Sequence, residues 1–281
     1  MKESAYFNGK AVLITGASSG IGEELARQLG GYGAKLTLVA RRRTLLQALA
    51  DGIASSGAPT PLVMEGDVTQ DGDIERAVVE SVRTWGKLDI VFANAGFGVV
   101  GTFTNLSIED YRRQFETNVF GVLRTIYAAL PEIEKARGHM VILGSVAGWT
   151  ATPGASPYSM SKFALRALAD SITPELRRVG VTVTLISPGF VVSNIRRVDN
   201  QGALHAQSKD PIPAWLSVST TRAVRQMLKA VAKGRREEIV TGHGKILVAL
   251  QRLSPWVIRA AGGRLMARPH RDRSQLHTRD K

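Results

Sequence analysis

Short apolar runs alternate with amphipathic stretches along most of the chain. The runs are continuously apolar rather than alternating, which is typical of strands that are buried on both faces of a sheet. The predicted strands are Val12–Thr15, Lys35–Ala40, Pro61–Glu65, Leu88–Ala93, His139–Gly144, Val181–Ser187 and Glu238–Val240. The predicted helices between them are Ile21–Leu29, Leu45–Ala54, Ile74–Thr84, Ile108–Leu130, Tyr158–Arg177 and Thr220–Ala232. A helix in every connection predicts an α/β fold, with a doubly wound, parallel, seven-stranded sheet and helices on both faces.

The composition fits a globular protein of the cell interior. The 281 residues are 44% hydrophobic and 22% charged, and no apolar run approaches the length of a membrane-spanning helix. The sequence has no cysteine, which excludes disulfides, zinc–thiolate sites and thiol nucleophiles. The first residues lack the pattern of a signal peptide, so we predict a cytoplasmic location. The five histidines form no i,i+4 pair, and we predict no metal site.

A glycine-rich segment follows the first predicted strand directly, as Thr15-Gly16-Ala17-Ser18-Ser19-Gly20-Ile21-Gly22. Gly16 permits a sharp turn, Gly20 lets the backbone approach a pyrophosphate, and Gly22 lets the helix pack closely on the strand. Free N–H groups and the helix dipole favour an anion at the start of that helix. A turn of this kind alone also fits a purely structural role, but the strand before it and the helix after it favour a dinucleotide site.

The end of the second predicted strand indicates which dinucleotide binds. A carboxylate there binds a ribose 2′-hydroxyl, whereas arginine binds a 2′-phosphate. This chain has Ala40-Arg41-Arg42-Arg43 and no acidic residue before Asp51. A solvated helix start is the alternative, but it places three positive charges at the positive end of the helix dipole. We therefore predict that Arg41 and Arg42, with Ser18 and Ser19, bind the 2′-phosphate of NADP(H), and that NAD(H) is disfavoured.

Further motifs follow in a fixed order, namely Asn94-Ala95-Gly96, Ser145, Tyr158-x-x-x-Lys162 and Pro188-Gly189. With the glycine-rich segment, they make the chain from about Asn8 to Val240 resemble the short-chain dehydrogenase/reductase family. The resemblance implies a Rossmann-type fold, an NAD(P)-binding catalytic domain over residues 1–241, and a catalytic set of Asn118, Ser145, Tyr158 and Lys162. Beyond the glycines, serines and arginines above, it implies cofactor contacts from Ile21, Asp67, Val68, Asn94, Ala95, Gly96, Tyr158, Lys162, Pro188, Gly189, Val191 and Ser193.

Within this resemblance, Asp67 is expected to contact adenine, Asn94 to brace the sheet, and Asn118 to anchor a water that links Lys162 to solvent. The loop after Pro188 is expected to meet the nicotinamide carboxamide. It usually ends in threonine, whereas this chain has Ser193, which keeps the hydroxyl.

The residue types of the catalytic set suit proton transfer to a carbonyl. Tyr158 and Lys162 are one helical turn apart and share a helix face. A free tyrosine has a pKa of about 10, and a neighbouring ammonium favours its phenolate. Tyr158 is then able to exchange a proton with a substrate oxygen while Ser145 polarises the same oxygen. Each residue alone also fits a structural role, but together at strand ends they favour catalysis.

These residues predict an NADP(H)-dependent oxidoreductase of the carbonyl reductase or alcohol dehydrogenase type. Mainly apolar candidate lining segments predict a hydrophobic ketone or alcohol as substrate; they are Phe97, Val99, Val100, residues 149–153 and the irregular segment Arg196–Leu216. The resemblance also implies a homo-oligomer formed through the long helices Ile108–Leu130 and Tyr158–Arg177. A non-catalytic dinucleotide-sensing or membrane-docking protein is the alternative function.

Charge separates residues 242–281 from the rest as a basic amphipathic C-terminal extension. Lys and Arg number 37 in the chain against 24 Asp and Glu, a net charge of +13. The extension holds nine Lys or Arg against two Asp, a net +7. Ile246–Leu253 is apolar, and Ser254-Pro255 predicts the start of a second helix through Arg268. Two interpretations stay open, namely peripheral contact with an anionic membrane and packing on the core or on a partner subunit. Nucleic acid is disfavoured because aromatic residues are sparse there.

Overall fold

The computed structural model of the chain describes residues 3–192, 200, 216–256 and 258. The strands in this part are β1 Ala11–Thr15, β2 Lys35–Ala40, β3 Leu62–Glu65, β4 Ile90–Ala93, β5 His139–Leu143, β6 Thr182–Pro188 and β7 Glu237–Val240. They form one parallel sheet in the order β3-β2-β1-β4-β5-β6-β7. The predicted Rossmann-type, doubly wound, seven-stranded sheet is therefore confirmed.

Helices cover both faces of this sheet because its central strands are almost entirely buried and mostly apolar. The helices are α1 Glu3–Phe7, α2 Gly20–Gly31, α3 Arg43–Ala54, α4 Asp73–Trp85, α5 Ile108–Phe115, α6 Gly121–Lys135, α7 Ser156–Arg178, α8 Thr220–Ala232 and α9 Gly242–Leu253. Ile14 and Phe92 pack with α2, α3 and α8 on one face. Leu13 and Val91, one position earlier in β1 and β4, pack with α4, α6 and α7 on the other. Successive side chains of a strand point to opposite faces, so each strand contributes to both cores.

The strand order reverses between β1 and β4. Chains that leave neighbouring parallel strands in opposite directions open a crevice at the carboxyl ends of those strands. The glycine-rich segment follows β1 and the Asn94 motif follows β4, so both lie at this crevice. The fold thus places the predicted cofactor motifs at one edge of the sheet.

The stretch predicted as one regular helix, Ile108–Leu130, is interrupted by a π-helical turn at Glu116–Phe120. The Gly121 N–H donates to the Glu116 carbonyl, five residues back, instead of four. The helix also continues through Pro131 to Lys135 as α6. A further difference is α1, which is too short to show a helical period in the sequence; its Phe7 is fully buried and stacks with Tyr32.

The beginning of the C-terminal extension, α9, packs against the core. Val248 is buried with Val146 and Trp149, close to a short 3₁₀ turn at Val146–Gly148. The outer side of α9 exposes the apolar side chains of Ile246, Leu250 and Leu253. The predicted irregular segment Arg196–Leu216 and the predicted helix from Ser254 to Arg268 lie almost entirely outside the described residues.

Candidate active site

The glycine-rich segment turns sharply between β1 and α2, and two of its glycines have no room for a side chain. Gly16 has a φ of +69°, in the left-handed region that glycine tolerates. A Cβ on Gly22 would lie 2.3 Å from the Gly16 carbonyl oxygen and 2.6 Å from Asn94 Nδ2. The start of α2 therefore packs directly on the turn, with the helix N-terminus facing the crevice where an anion is favoured.

Asn94 and Thr15 hold the turn in place from the neighbouring strand. The Asn94 amide donates to the carbonyl oxygens of Thr15, at 2.8 Å, and Gly16, at 3.3 Å. The Thr15 hydroxyl accepts from the backbone N–H groups of Asn94 and Ala95 at 3.1 and 3.2 Å. This network joins the ends of β1 and β4 across the point where the strand order reverses. Gly96, next along the chain, lies against the Asn118 side chain.

The predicted phosphate-binding side chains fall into two groups. The Arg42 guanidinium donates to the hydroxyls of Ser18, at 2.9 Å, and Ser19, at 3.0 Å. Arg41 is instead directed towards Asp67, with 3.8 Å between Arg41 Nη1 and Asp67 Oδ2. A guanidinium beside two hydroxyls at the exit of β2 offers charged and polar donors that suit a phosphate group. The residues present thus fit an adenine dinucleotide, with Arg42 closest to the glycine-rich turn.

Asp67 and Val68 lie in the loop after β3, where the Asp67 carboxylate faces Arg41, and the predicted contact of Asp67 with adenine stays a prediction. Asp67 Oδ1 accepts from the N–H and the hydroxyl of Thr69, at 3.0 and 2.9 Å, which fixes the carboxylate within its own loop. Val68 is buried and packs closely on Gly121. A Cβ on Gly121 would lie 2.6 Å from the Val68 side chain. The loop after β3 is therefore fastened to the start of α6.

Tyr158 and Lys162 lie on the first turns of α7, which Pro157 helps to start. The Lys162 Nζ atom lies 5.7 Å from the centroid of the Tyr158 ring and donates to the Leu143 carbonyl oxygen at 2.7 Å. Only 6% of Lys162 is exposed, and burial lowers the pKa of its ammonium from 10.5 to about 8. The bond to Leu143 joins α7 to the last residue of β5, two positions before Ser145.

Asn118 lies in the π-helical turn and is fully buried. Its side chain accepts from the Phe97 N–H and donates to the Phe97 carbonyl, both at 3.0 Å. It also donates to Ser161 Oγ at 3.2 Å, and the Ser161 hydroxyl donates to the Tyr158 carbonyl at 2.7 Å. The Asn118 side chain is thus fully engaged in linking the loop after β4 to α7, and the predicted water link to Lys162 stays a prediction.

Ser145 caps the 3₁₀ turn that follows β5. Its hydroxyl oxygen accepts from the Ala147 N–H at 3.1 Å and lies 3.5 Å from the Pro188 carbonyl oxygen at the end of β6. The turn presses on α7, because a Cβ on Gly148 would lie 2.6 Å from the Lys162 carbonyl oxygen. The structure therefore brings Asn118, Tyr158 and Lys162, with the turn that carries Ser145, into one connected region.

The other predicted cofactor residues follow β6. Pro188 ends the strand, Gly189 donates its N–H to the Val240 carbonyl at 3.1 Å, and Val191 forms a bridge with Val218. Ser193 lies outside the described residues. The described part of this loop therefore leaves the sheet beside β7, at the same edge as the glycine-rich turn.

The loop after β4 packs against the Tyr158 ring. A Cβ on Gly98 would lie 3.5 Å from the Tyr158 ring. Val99 is fully buried and its N–H donates to Gln114 Oε1 at 2.6 Å, so its side chain belongs to the core. Val100 forms two backbone hydrogen bonds with the Asn200 side chain, at 3.0 and 2.8 Å.

Trp149 does not line the substrate site, and its predicted lining role was wrong. It is 5% exposed and packs with Val248 of α9. The guanidinium groups of Arg166 and Arg252 lie 3.4 and 4.2 Å from the centroid of its ring. The Trp149 indole is therefore part of the core, and two arginine guanidinium groups contact its ring.

Sequence patterns missed several residues that build this site. Ser161 follows Tyr158 by three positions, and that helical spacing is a signal that could have revealed it. Thr15, Gln114 and Asn200 act through backbone groups of distant loops, and no spacing in the sequence indicates such contacts.

Comparison with known proteins agrees with this geometry. A family model described as short chain dehydrogenase matches residues 10–203. The chain belongs to the short-chain dehydrogenase family. It is 37% identical over 235 residues to "11-beta-hydroxysteroid dehydrogenase-like 4A" of Arabidopsis thaliana, covering 83% of this chain and 75% of that protein. It is 30% identical over 295 residues to "Dehydrogenase/reductase SDR family member 7B" of Bos taurus, covering 99% and 87%.

Solved structures share the fold of this short-chain dehydrogenase. A short chain dehydrogenase/reductase from Burkholderia phymatum in complex with NAD superposes with a TM-score of 0.79 at 24% identity, covering 89% of this chain and 95% of that one. An alcohol dehydrogenase from Thermococcus sibiricus complexed with 5-hydroxy-NADP gives 0.73 at 25% identity, covering 82% and 95%. The protein is an NAD(P)-dependent oxidoreductase, and family membership supports catalysis over the dinucleotide-sensing alternative.

Proposed function

We propose that this short-chain dehydrogenase is an NADP(H)-dependent carbonyl reductase, reversible as a secondary-alcohol dehydrogenase, that acts on a hydrophobic substrate. The observation that carries the reaction type is the buried Lys162 ammonium beside Tyr158, at the end of the strand that leads to Ser145. Removal of hydride from an alcohol, or its addition to a carbonyl, requires a proton to move at the substrate oxygen. Tyr158 is the group placed to move it.

The chain's own side chains divide the work around that oxygen. Tyr158 donates a proton to it during reduction and accepts one during oxidation. The Ser145 hydroxyl donates a hydrogen bond that polarises the oxygen. The Lys162 ammonium favours the anionic state of the phenol through its charge. The bound nicotinamide supplies or accepts the hydride.

The preference for NADP(H) is supported by Arg42, Ser18 and Ser19. Their side chains already meet at the exit of β2, and Arg41 adds a second positive charge nearby. No carboxylate occupies the segment from Leu38 to Arg43 to bind a ribose 2′-hydroxyl. A doubly charged phosphate would relieve the repulsion of three arginines at the start of α3.

We expect Arg42→Ala to raise the KM for NADPH about thirtyfold and to leave the KM for NADH within about twofold. A hydrogen bond to a charged group contributes about 2 kcal/mol, which corresponds to that factor. Steady-state kinetics with both cofactors measures the ratio. Arg43→Ala removes the same charge one position further on and is the control for net charge. An unchanged NADPH-to-NADH ratio in Arg42→Ala would contradict the assignment.

The hydrophobic substrate is supported by the loops around Tyr158. Phe97 and Val100 lie on the loop after β4, and Phe190 and Val192, 36% and 52% exposed, lie on the loop after β6. Relatives named as hydroxysteroid dehydrogenases agree with a bulky apolar secondary alcohol. A panel of steroid, acyl-chain and small aromatic ketones, followed by NADPH absorbance, tests the proposal. Turnover of small polar keto acids alone would reject it.

We also propose that the enzyme is a homo-oligomer formed through α6 and α7. Support comes from apolar side chains exposed along these helices, among them Tyr127 at 70%, Met160 at 50% and Phe163 at 39%. Exposed apolar surface of this extent favours association. A monomer mass by light scattering would contradict it.

We further propose a cytoplasmic enzyme that contacts anionic membranes through α9 and the basic segment after it. Ile246, Leu250 and Leu253 are 64%, 39% and 83% exposed, at spacings that share one side of α9, and Trp256, just beyond the end of α9, is 71% exposed. The net +7 of residues 242–281 complements anionic headgroups. No helix in the described ranges is long and apolar enough to cross a bilayer.

Co-sedimentation with vesicles is expected to depend on the exposed apolar side chains of α9 and on Trp256 after it. Full-length protein should pellet with phosphatidylserine-containing vesicles and much less with pure phosphatidylcholine, because both charge and apolar burial contribute. The double variant Leu253→Asp, Trp256→Asp should lose most of that binding. Val79→Asp, at a 62% exposed position on α4, is the control. Equal pelleting of the double variant and the wild type would remove the membrane proposal.

A further inference from the structure

The first turn of α9 is fastened to the loop that follows β6. The Phe190 N–H donates to His243 Nε2 at 3.0 Å, and the two rings stack with centroids 5.5 Å apart and 20° between planes. The Thr241 hydroxyl oxygen lies 3.1 Å from the same Nε2 atom. His243 thus contacts the backbone and the side chain of one loop residue at once.

Gly189 allows this close approach. A Cβ there would lie 2.4 Å from Thr241 Oγ1 and 2.7 Å from His243 Nε2. Thr241 itself has a φ of +93°, in the left-handed region that a β-branched residue rarely adopts. Its side chain also accepts from the Gly244 N–H at 3.2 Å and caps α9. Such strain persists where surrounding contacts hold the backbone in one arrangement, as they do here.

The direction of the Phe190 bond fixes the state of the imidazole. A backbone N–H only donates, so Nε2 must be unprotonated and the neutral ring carries its proton on Nδ1. Burial lowers the pKa of His243, which keeps the ring neutral near pH 7. Across the loop, Val192 donates its N–H to the Val218 carbonyl at 3.0 Å. The loop is therefore held from both sides.

We infer that His243 is a positioning residue for the nicotinamide end of the cofactor, because it fixes the backbone of residues 189–190 through Nε2. The inference rests on the proposed function, in which this loop meets the nicotinamide. His243 lies beyond residues 10–203, which the family model matches, so it is supplied by the C-terminal extension of this chain. The C-terminal extension then contributes to cofactor binding as well as to the proposed membrane contact.

Two substitutions at this position separate the hydrogen bond from the volume of the ring. His243→Leu fills similar space but has no acceptor, whereas His243→Gln places an amide oxygen close to the position of Nε2. We expect the Kd and KM for NADPH to rise about tenfold in His243→Leu, with kcat changed less than threefold. His243→Gln should recover most of the affinity. Ile246→Ala, on the exposed side of α9, is the control.

A second measurement needs no cofactor. Amide hydrogen exchange in the cofactor-free protein should be at least about tenfold faster at Phe190 in His243→Leu than in the wild type, and near the wild-type rate in His243→Gln. Unchanged exchange, or wild-type NADPH affinity in His243→Leu, would overturn the role of His243 alone, even if its Tm falls. Failure of the wild-type protein to bind NADPH would overturn the proposed function and this role together.

Discussion

Replacing Tyr158 by phenylalanine is expected to lower kcat for ketone reduction by about 10²–10⁴-fold while the Kd for NADPH changes less than about threefold. The substitution removes only the phenolic hydroxyl. The ring stays packed against the loop at Gly98 and beside Lys162, so the shape of the site is kept. Without the hydroxyl, the substrate oxygen loses its proton donor, and the nearby Lys162 ammonium no longer has a phenol to act on.

The comparison variant is Tyr111→Phe. The Tyr111 hydroxyl forms a 2.7 Å hydrogen bond with Ser156 Oγ at the first residue of α7, so it supports the same helix without a role in proton transfer. Stopped-flow measurement of NADPH oxidation gives the rate, and cofactor fluorescence gives the Kd. Near-normal turnover by Tyr158→Phe would refute the assigned chemistry, and equal losses in both variants would assign the effect to α7 packing.

Replacing Lys162 by methionine is expected to lower kcat about a hundredfold or more and, at the same time, to raise Tm by roughly 5 °C at pH 7. Activity falls because the positive charge beside Tyr158 is lost. Stability rises because a lysine pKa of about 8 instead of 10.5 means that burying the ammonium costs about 3 kcal/mol. The lost hydrogen bond to Leu143 offsets about 1 kcal/mol of that gain.

The gain in stability should depend on pH in a definite direction. The folded wild type releases the Lys162 proton near pH 8, whereas the unfolded chain keeps it up to pH 10.5. The unfolded state binds more protons in between, so this group raises the free energy of unfolding as the pH rises from 8 to 10.5. The Tm difference between Lys162→Met and wild type should therefore be largest below pH 8 and shrink above it. Calorimetry of the cofactor-free proteins measures it, and a Tm loss of several degrees at pH 7 would contradict the cost assigned to burial.

The strands were predictable because burial on both faces favours apolar residues at most positions of a strand. All seven predicted runs form strands in the described part of the chain, with ends that shift by up to two residues. Leu88 illustrates the limit, since it is fully buried but precedes β4, which begins at Ile90. A run of apolar residues indicates which residues are buried. The first residue of a strand is instead set by its hydrogen bonds to the neighbouring strands, which the run does not show.

The residues of the site were predictable only where they act together with residues a few positions away in the sequence. Glycines that turn the chain and a tyrosine one turn before a lysine act within a few residues, and their spacing is visible in the sequence. The division between Arg42, which meets the serines, and Arg41, which faces Asp67, depends on how two loops meet. Trp149 was misplaced for the same reason, because α9 comes from a hundred residues further along the chain.

The π-helical turn at Glu116–Phe120 also constrains how this protein is able to change length. It contains one residue more than a regular helical turn needs, and Asn118 lies within it. Deleting a single residue there would leave a regular α-helix in which the residues that follow keep nearly the same direction, because the wide turn is what accommodates the extra residue. Val122, Ile126 and Ile133 would therefore still face the sheet. What such a deletion would disturb is the position of Asn118, whose side chain joins Phe97 to Ser161, so the extra residue is retained for the site and not for the packing of α6.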